Sequence, residues 1–158
     1  MAMIYSKMPC AASGTFTTNI VKAAPVLWDK EIVEQRRMAQ VVVINAGIAN
    51  ACTGEQGFSY CEETAKAAAD ALNIKAEHVL VASTGVIGKQ LPMEKIIAGT
   101  KLLAEGLSDE LKAGTAAAKA IMTTDTEKKE IAVEFLAGGK RAVLGGMCKG
   151  SGMIHPNM

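Results

Sequence analysis

Val41-Val42-Val43-Ile44-Asn45 decides the fold class. Four consecutive β-branched residues are stiff at χ1 and suit a pleated surface, so the run reads as a buried strand. Downstream, Ala46 to Gly57 is irregular and rich in small residues. Ala65, Ala68, Ala69 and Leu72 then recur at helical spacing within a helix expected over 59–72. His78 to Ala82 is a second buried strand, and Ser83-Thr84-Gly85-Val86-Ile87-Gly88 is expected to turn off its end. Upstream, Met3 to Tyr5 looks like the tail of a strand, and Gly14 to Asn19 like a polar turn or short strand. Asp29 suits the cap of a short helix running through Arg37.

Toward the end of the chain, Pro92 fits the first turn of a helix whose apolar face holds Ile96, Ile97, Leu102 and Leu103. Ser108, Glu110 and Leu111 open a further helix that runs to Ile121. Ile131, Val133 and Phe135 alternate with Ala132 and Glu134, Gly138-Gly139 turns, and Arg141 to Leu144 returns, which is a hairpin signal. Strands and helices mix without strict alternation. The expectation is one α/β (mixed α+β) domain over residues 1–158, with no internal repeat or linker.

The 158 residues are 49% hydrophobic, with a mean hydropathy of +0.19. Both are slightly high, so part of the apolar surface is expected to lie against another chain. No apolar run approaches the roughly 18 residues of a membrane helix. Seventeen basic and 16 acidic residues are well mixed, giving a net charge of +1 and no support for nucleic acid or an anionic membrane as partner. Cys10, Cys52, Cys61 and Cys148 are scattered without a C-x-x-C, which fits a reduced, cytoplasmic compartment rather than a disulfide framework or zinc site. With only His78 and His155, a His-rich metal site is not expected.

Two Gly-rich stretches invite a phosphate-loop reading and fail it. That loop needs G-x-x-x-x-G-K-[ST]. Gly85 to Gln90 has the wrong spacing, and Lys149 precedes its glycine. Ser83-Thr84-Gly85 follows a strand, where a hydroxyl and an amide can point together at a developing oxyanion. Taken alone it is an ordinary turn. Thr123-Thr124-Asp125-Thr126 alone is helix-end turn chemistry. The Asn45–Gly54 loop either lines a site or packs closely for structural reasons, because small residues permit close backbone approach. Lys149 suits a carboxylate as a point charge, although a lone lysine is usually solvated. Lys149 to Met158 is Gly-rich and of catalytic character. Domains usually end in expendable residues, so this end suggests either a chain cut after folding or an arbitrary boundary.

Taken together, N-A-G-I-A-N-A-C-T-G, S-T-G-V-I-G, M-T-T-D-T and G-G-M-C-K-G-S-G-M-I-H-P-N-M occur in this order and at this spacing. With F-T-T-N and V-K-A-A-P-V-L-W near the start, the set resembles the ornithine acetyltransferase (glutamate N-acetyltransferase) family of arginine biosynthesis. The resemblance runs from about Ile4 to Met158. One departure is the loop, where the family often has N-S-G-N-A-N and this chain has Ala46 and Ile48 in place of polar residues.

The resemblance implies a self-cleaving precursor of which this chain is the α part. The β chain would carry an N-terminal Thr nucleophile, complete the sheets and form an α2β2 heterotetramer with it. The implied fold is that of the family, akin to the N-terminal-nucleophile-like peptidases of the DmpA type. The implied chemistry is double-displacement acetyl transfer from N2-acetylornithine to glutamate through an acetyl-threonine. It implies no cofactor and leaves acetyl-CoA open as a co-substrate. By resemblance, Thr84 and Gly85 form the oxyanion hole. Thr123 and Lys149 bind substrate, with Lys149 suited to the α-carboxylate and the Thr123 hydroxyl to polar groups of the amino acid. An amidase or aminopeptidase using the same nucleophile differs only in the acceptor, water. A non-catalytic subunit is the third reading.

Overall fold

A computed structural model describes residues 1–35, 38–155 and 157–158. Its central sheet has the order β1 (Ala2–Ala11), β2 (Met38–Ile48), β3 (Val79–Val86). β1 runs antiparallel to β2, and β2 runs parallel to β3 in the register Val41↔Val79 through Asn45↔Ser83. Along β2, Val41, Val43 and Asn45 are buried while Val42 and Ile44 are half-buried. The helices therefore cover one face of the strand more fully than the other.

That covered face carries the core. Val41, Val43, Val79 and Val81 pack with Met3, Cys61, Ala65, Ala68 and Ala69. Burying each valine stabilises the fold by roughly 1.5–3 kcal/mol. Exposed pairs such as Lys30–Glu34, at 3.3 Å, contribute about 0–1 kcal/mol. The small residues on one side of α2 (Gly54–Leu72) let it lie close to the sheet. Its C-cap Asn73 adopts the left-handed conformation at φ 53°, which asparagine tolerates better than most residues.

α1 (Ala24–Glu34) closes the outer edge of β3 by side-chain hydrogen bonds. Trp28 Nε1 donates to the Val79 carbonyl at 2.9 Å, and the Val81 amide donates to Asp29 Oδ1 at 2.9 Å. Asp29 therefore does not cap a helix. It sits inside α1, whose N-cap is Ala23 with a proline in the first turn. The expected helix end at Arg37 lies outside the described residues.

Other expectations shift at the element ends. The strand glimpsed at Met3–Tyr5 runs ten residues, and α2 starts at Gly54 rather than Ser59. Gly14 to Asn19 forms no strand. α3 (Met93–Glu105) buries Ile96 and Thr100, whereas Leu102 is 68% exposed. Residues 96, 100 and 103 share a helical face and 102 does not. α4 (Leu111–Ala120) follows Glu110, whose amide donates to Ser108 Oγ at 3.2 Å.

β4 (Lys129–Ala137) and β5 (Lys140–Cys148) form the expected hairpin. Val133 pairs with Leu144, Phe135 with Ala142 and Ile131 with Gly146, which gathers the apolar residues on one side. That side is exposed, with Ile131 at 70% and Leu144 at 63%. No helix of the described residues is long and apolar enough to cross a membrane.

Candidate functional site

One group of candidate residues lies where β2 and β3 end together. β3 does not turn at Ser83. It continues through Val86, with Ala46↔Thr84 and Gly47↔Gly85 in register and a shift at Ile48. Two backbone bonds prolong the contact, Ala49 N–H to Val86 O and Gly88 N–H to Ala51 O, both at 2.9 Å. Gly47 and Gly85 have φ of 123° and 133°, a region that side chains disfavour. Thr84 and Gly85 are half-buried. Among the described residues the Thr84 hydroxyl has no hydrogen-bond partner.

Asn45 and Asn50 brace this strand end from behind. Ser83 Oγ donates to Asn45 Oδ1 at 2.5 Å, and Asn45 Nδ2 donates to the Ile48 carbonyl at 2.8 Å. Asn50 is 1% exposed with φ 48°. Its Nδ2 donates to Gly57 O at 2.9 Å, and its Oδ1 accepts from Thr53 Oγ1 at 2.8 Å. A Cβ on Gly57 would fall 2.0 Å from Thr53 Oγ1, so the loop and α2 fit only with glycine there. Of the two readings of the Asn45–Gly54 loop, the contacts are those of a close-packed support for Ser83-Thr84-Gly85.

A separate group of candidate residues is built on Asp125, whose side chain is 2% exposed. Lys149 Nζ reaches Asp125 Oδ2 and Lys129 Nζ reaches Asp125 Oδ1, each at 2.9 Å. The Gly150 amide donates to Oδ1 at 2.7 Å and the Thr123 amide to Oδ2 at 3.4 Å. Lys129, then Lys149 and the two amides hold this carboxyl well below the usual carboxylate range. Lys149 is therefore not a solvated lysine, since its side chain is 19% exposed and paired. The Thr123 backbone does take part in turn chemistry, as T-T-D-T read alone suggests, and that chemistry brings Thr123 to Lys149.

Thr123 and Lys149 thus meet through one carboxylate. Among the described residues no hydrogen bond or ion pair joins them to Thr84 and Gly85. Asp125 is a residue that sequence reasoning passed over. It stands inside the quoted T-T-D-T motif, but its partner Lys149 lies 24 residues on, with a hairpin between.

The fold of this chain is the mixed α/β fold of solved argJ and ornithine acetyltransferase chains. Ornithine acetyltransferase complexed with ornithine, from Mycobacterium tuberculosis, superposes with a TM-score of 0.91 at 42% identity. It covers 98% of this chain and 81% of that one. The arginine biosynthesis bifunctional protein argJ of Bacillus halodurans superposes with a TM-score of 0.90 at 37% identity over 98% and 80%. The ArgJ family profile matches residues 1–158, and the chain belongs to the ArgJ family. The arginine biosynthesis bifunctional protein ArgJ of Symbiobacterium thermophilum is 52% identical over all of this chain and 39% of its own length, and that of Lactococcus lactis 50% over all of this chain and 39% of its own. The chain spans about two-fifths of the length of these curated relatives.

Proposed function

We propose that this chain is the α part of an acetyltransferase that moves the acetyl group of N2-acetylornithine to glutamate. The observation that carries the reading is the meeting of Thr123 and Lys149 on Asp125 in a chain of the ArgJ family. The ammonium of Lys149 holds the α-carboxylate that both amino acids possess, and Thr123 holds the polar groups beside it. Thr84 and Gly85 donate to the carbonyl oxygen as it becomes an oxyanion.

The nucleophile is an N-terminal Thr of a β chain. Its hydroxyl oxygen bonds to the acetyl carbon and its proton passes to the Thr α-amine, the general base. The tetrahedral intermediate expels ornithine, whose nitrogen takes that proton. Glutamate's amine then attacks the acetyl-threonine, N-acetylglutamate leaves, and the Thr hydroxyl is restored. Chain lengths support a divided precursor. This chain covers about four-fifths of the solved chains but only two-fifths of the curated relatives. The exposed hairpin side supports a second chain covering it, and the α2β2 stoichiometry is carried over from the family resemblance alone. The name "bifunctional" on the relatives supports a second activity, and acetyl-CoA as an acetyl donor to glutamate is our reading of it.

The test uses the full-length protein with acetyl-labelled N2-acetylornithine. Ornithine should be released in a burst without glutamate, and a steady rate should need glutamate, with parallel double-reciprocal plots. Release of acetate independent of glutamate would instead assign an amidase.

A further inference from the structure

Lys149 alone is a poor carboxylate anchor as it stands. Its ammonium has three donors. One goes to Asp125 and one to the Gly150 carbonyl at 3.2 Å. A lysine matched one-to-one with an aspartate also presents a neutral pair to an incoming anion. The structure departs from that simple pair at Lys129, which donates to the other oxygen of the same carboxylate and to the Glu127 carbonyl at 3.1 Å. Two ammonium groups against one carboxylate leave one positive charge unmatched. Lys149 also has one N–H uncommitted among the described residues.

The carboxylate does more than balance charge. It ties the Thr123 amide, in the turn after α4, to the Gly150 amide, just past β5. These two segments flank the hairpin, whose apolar side touches little of this chain. Asp125 is therefore a direct link between the two segments that the proposed function assigns to substrate. Lys129 lies at the start of β4, close enough to serve the same carboxylate.

We propose that Asp125 and Lys129 are positioning residues of the substrate carboxylate site: Asp125 fixes the Lys149 ammonium beside Thr123, and Lys129 offsets the charge of Asp125 so that Lys149 keeps its attraction for an anion. This rests on the reading of Lys149 as the carboxylate anchor, and the test separates the two. In cleaved full-length enzyme, KM and kcat are measured on N2-acetylornithine and on an N-acetyl diamine that lacks the carboxylate, for Asp125→Asn, Lys129→Met and Lys149→Met.

Asp125→Asn should raise KM for N2-acetylornithine roughly tenfold, with kcat changed less and the diamine nearly unaffected. Lys129→Met, which leaves Asp125 in place to neutralise Lys149, should raise the same KM by about threefold to tenfold and spare the diamine. A fall in KM in Asp125→Asn would make Asp125 a competitor of the substrate and overturn the proposal. So would equal loss on both substrates in Lys129→Met, the milder change at a side chain 44% exposed. If Asp125→Asn fails to fold or cleave, the decision rests on Lys129→Met. If Lys149→Met itself treats the two substrates alike, the anchor reading has failed. If Lys149→Met discriminates and Lys129→Met does not, this inference alone has failed.

Discussion

A Cβ placed on Gly85 would lie 2.2 Å from the carbonyl carbon of Gly47 and 2.3 Å from its oxygen. Both neighbours are backbone of the paired strand, so neither can move without breaking the β2–β3 register. At φ 133° a side chain is also disfavoured for local reasons. The absence of a side chain at Gly85 is thus what allows β3 to stay beside β2 and places Thr84 at the end of the sheet.

Gly85→Ala should therefore destabilise the full-length protein severely, by more than about 3 kcal/mol, or prevent its accumulation. Gly88 is the internal control. Its φ is also positive, at 76°, but nothing lies within 4 Å of an added Cβ. Gly88→Ala should cost only the backbone strain, about 1–2 kcal/mol. Melting temperatures of the two variants check this, and equal losses would show that the close approach to Gly47 is unimportant.

Thr84→Ala should leave the fold intact, because Thr84 is half-buried and its hydroxyl has no partner among the described residues. If the hydroxyl stabilises the oxyanion, kcat should fall by about 10²–10³ while KM changes little. Steady-state kinetics on cleaved enzyme measure this, with cleavage followed separately on a gel because the cut and the transfer can share donors. An unchanged kcat would return Thr84 to an ordinary strand-end residue.

The contrast between these positions shows what was legible in the sequence. The β-branched run at Val41–Ile44 and the alanine spacing of α2 announced the sheet and its covering helix, since local pattern and burial agree there. The hairpin was equally plain from Ile131, Val133, Phe135 and the Gly138-Gly139 turn. Asp29 misled because aspartate favours helix starts, whereas its actual partner, the Val81 amide, is 52 residues away. The S-T-G sequence reads as a turn, yet Thr84 and Gly85 lie in strand. What keeps them in strand is the close approach of Gly85 to the Gly47 backbone across the parallel pair, which local sequence does not reveal. The motifs point to Thr123 and Lys149, yet Asp125 unites them through contacts 24 and 25 residues along the chain, which spacing does not reveal.

Residues 1–158 expressed without the remaining length of the relatives should self-associate and lack transferase activity. Ile131, Val133, Phe135 and Leu144 share one exposed side of a two-stranded hairpin. Such a hairpin is only marginally stable in water without further packing, and exposed apolar surface promotes association. Light scattering and an acetyl-transfer assay check this. A monodisperse monomer that transfers acetyl groups would show that no second chain is needed.

Asp29 gives a pH signature. Burial pushes its carboxyl up to about 7, although the Val81 amide pulls the other way. The unfolded chain ionises near the ordinary value of about 4. Between those pH values the native state holds a proton that the unfolded state has released, so stability falls as pH rises through this window and levels off above about 7. The nearby Cys61 thiol is pushed up to about 12 by burial and then by the Asp29 charge, so it stays neutral and offers no compensation. Asp29→Asn keeps an oxygen to accept from Val81 N–H and removes the titration. The variant should match the parent below about pH 4, pull ahead as pH rises through the window, and exceed it at pH 8 by on the order of a few kcal/mol. Melting curves of the full-length parent and variant at both pH values decide it. A difference in Tm that is the same at pH 5 and pH 8 would mean that Asp29 is ionised throughout and that its bond to Val81 outweighs its burial.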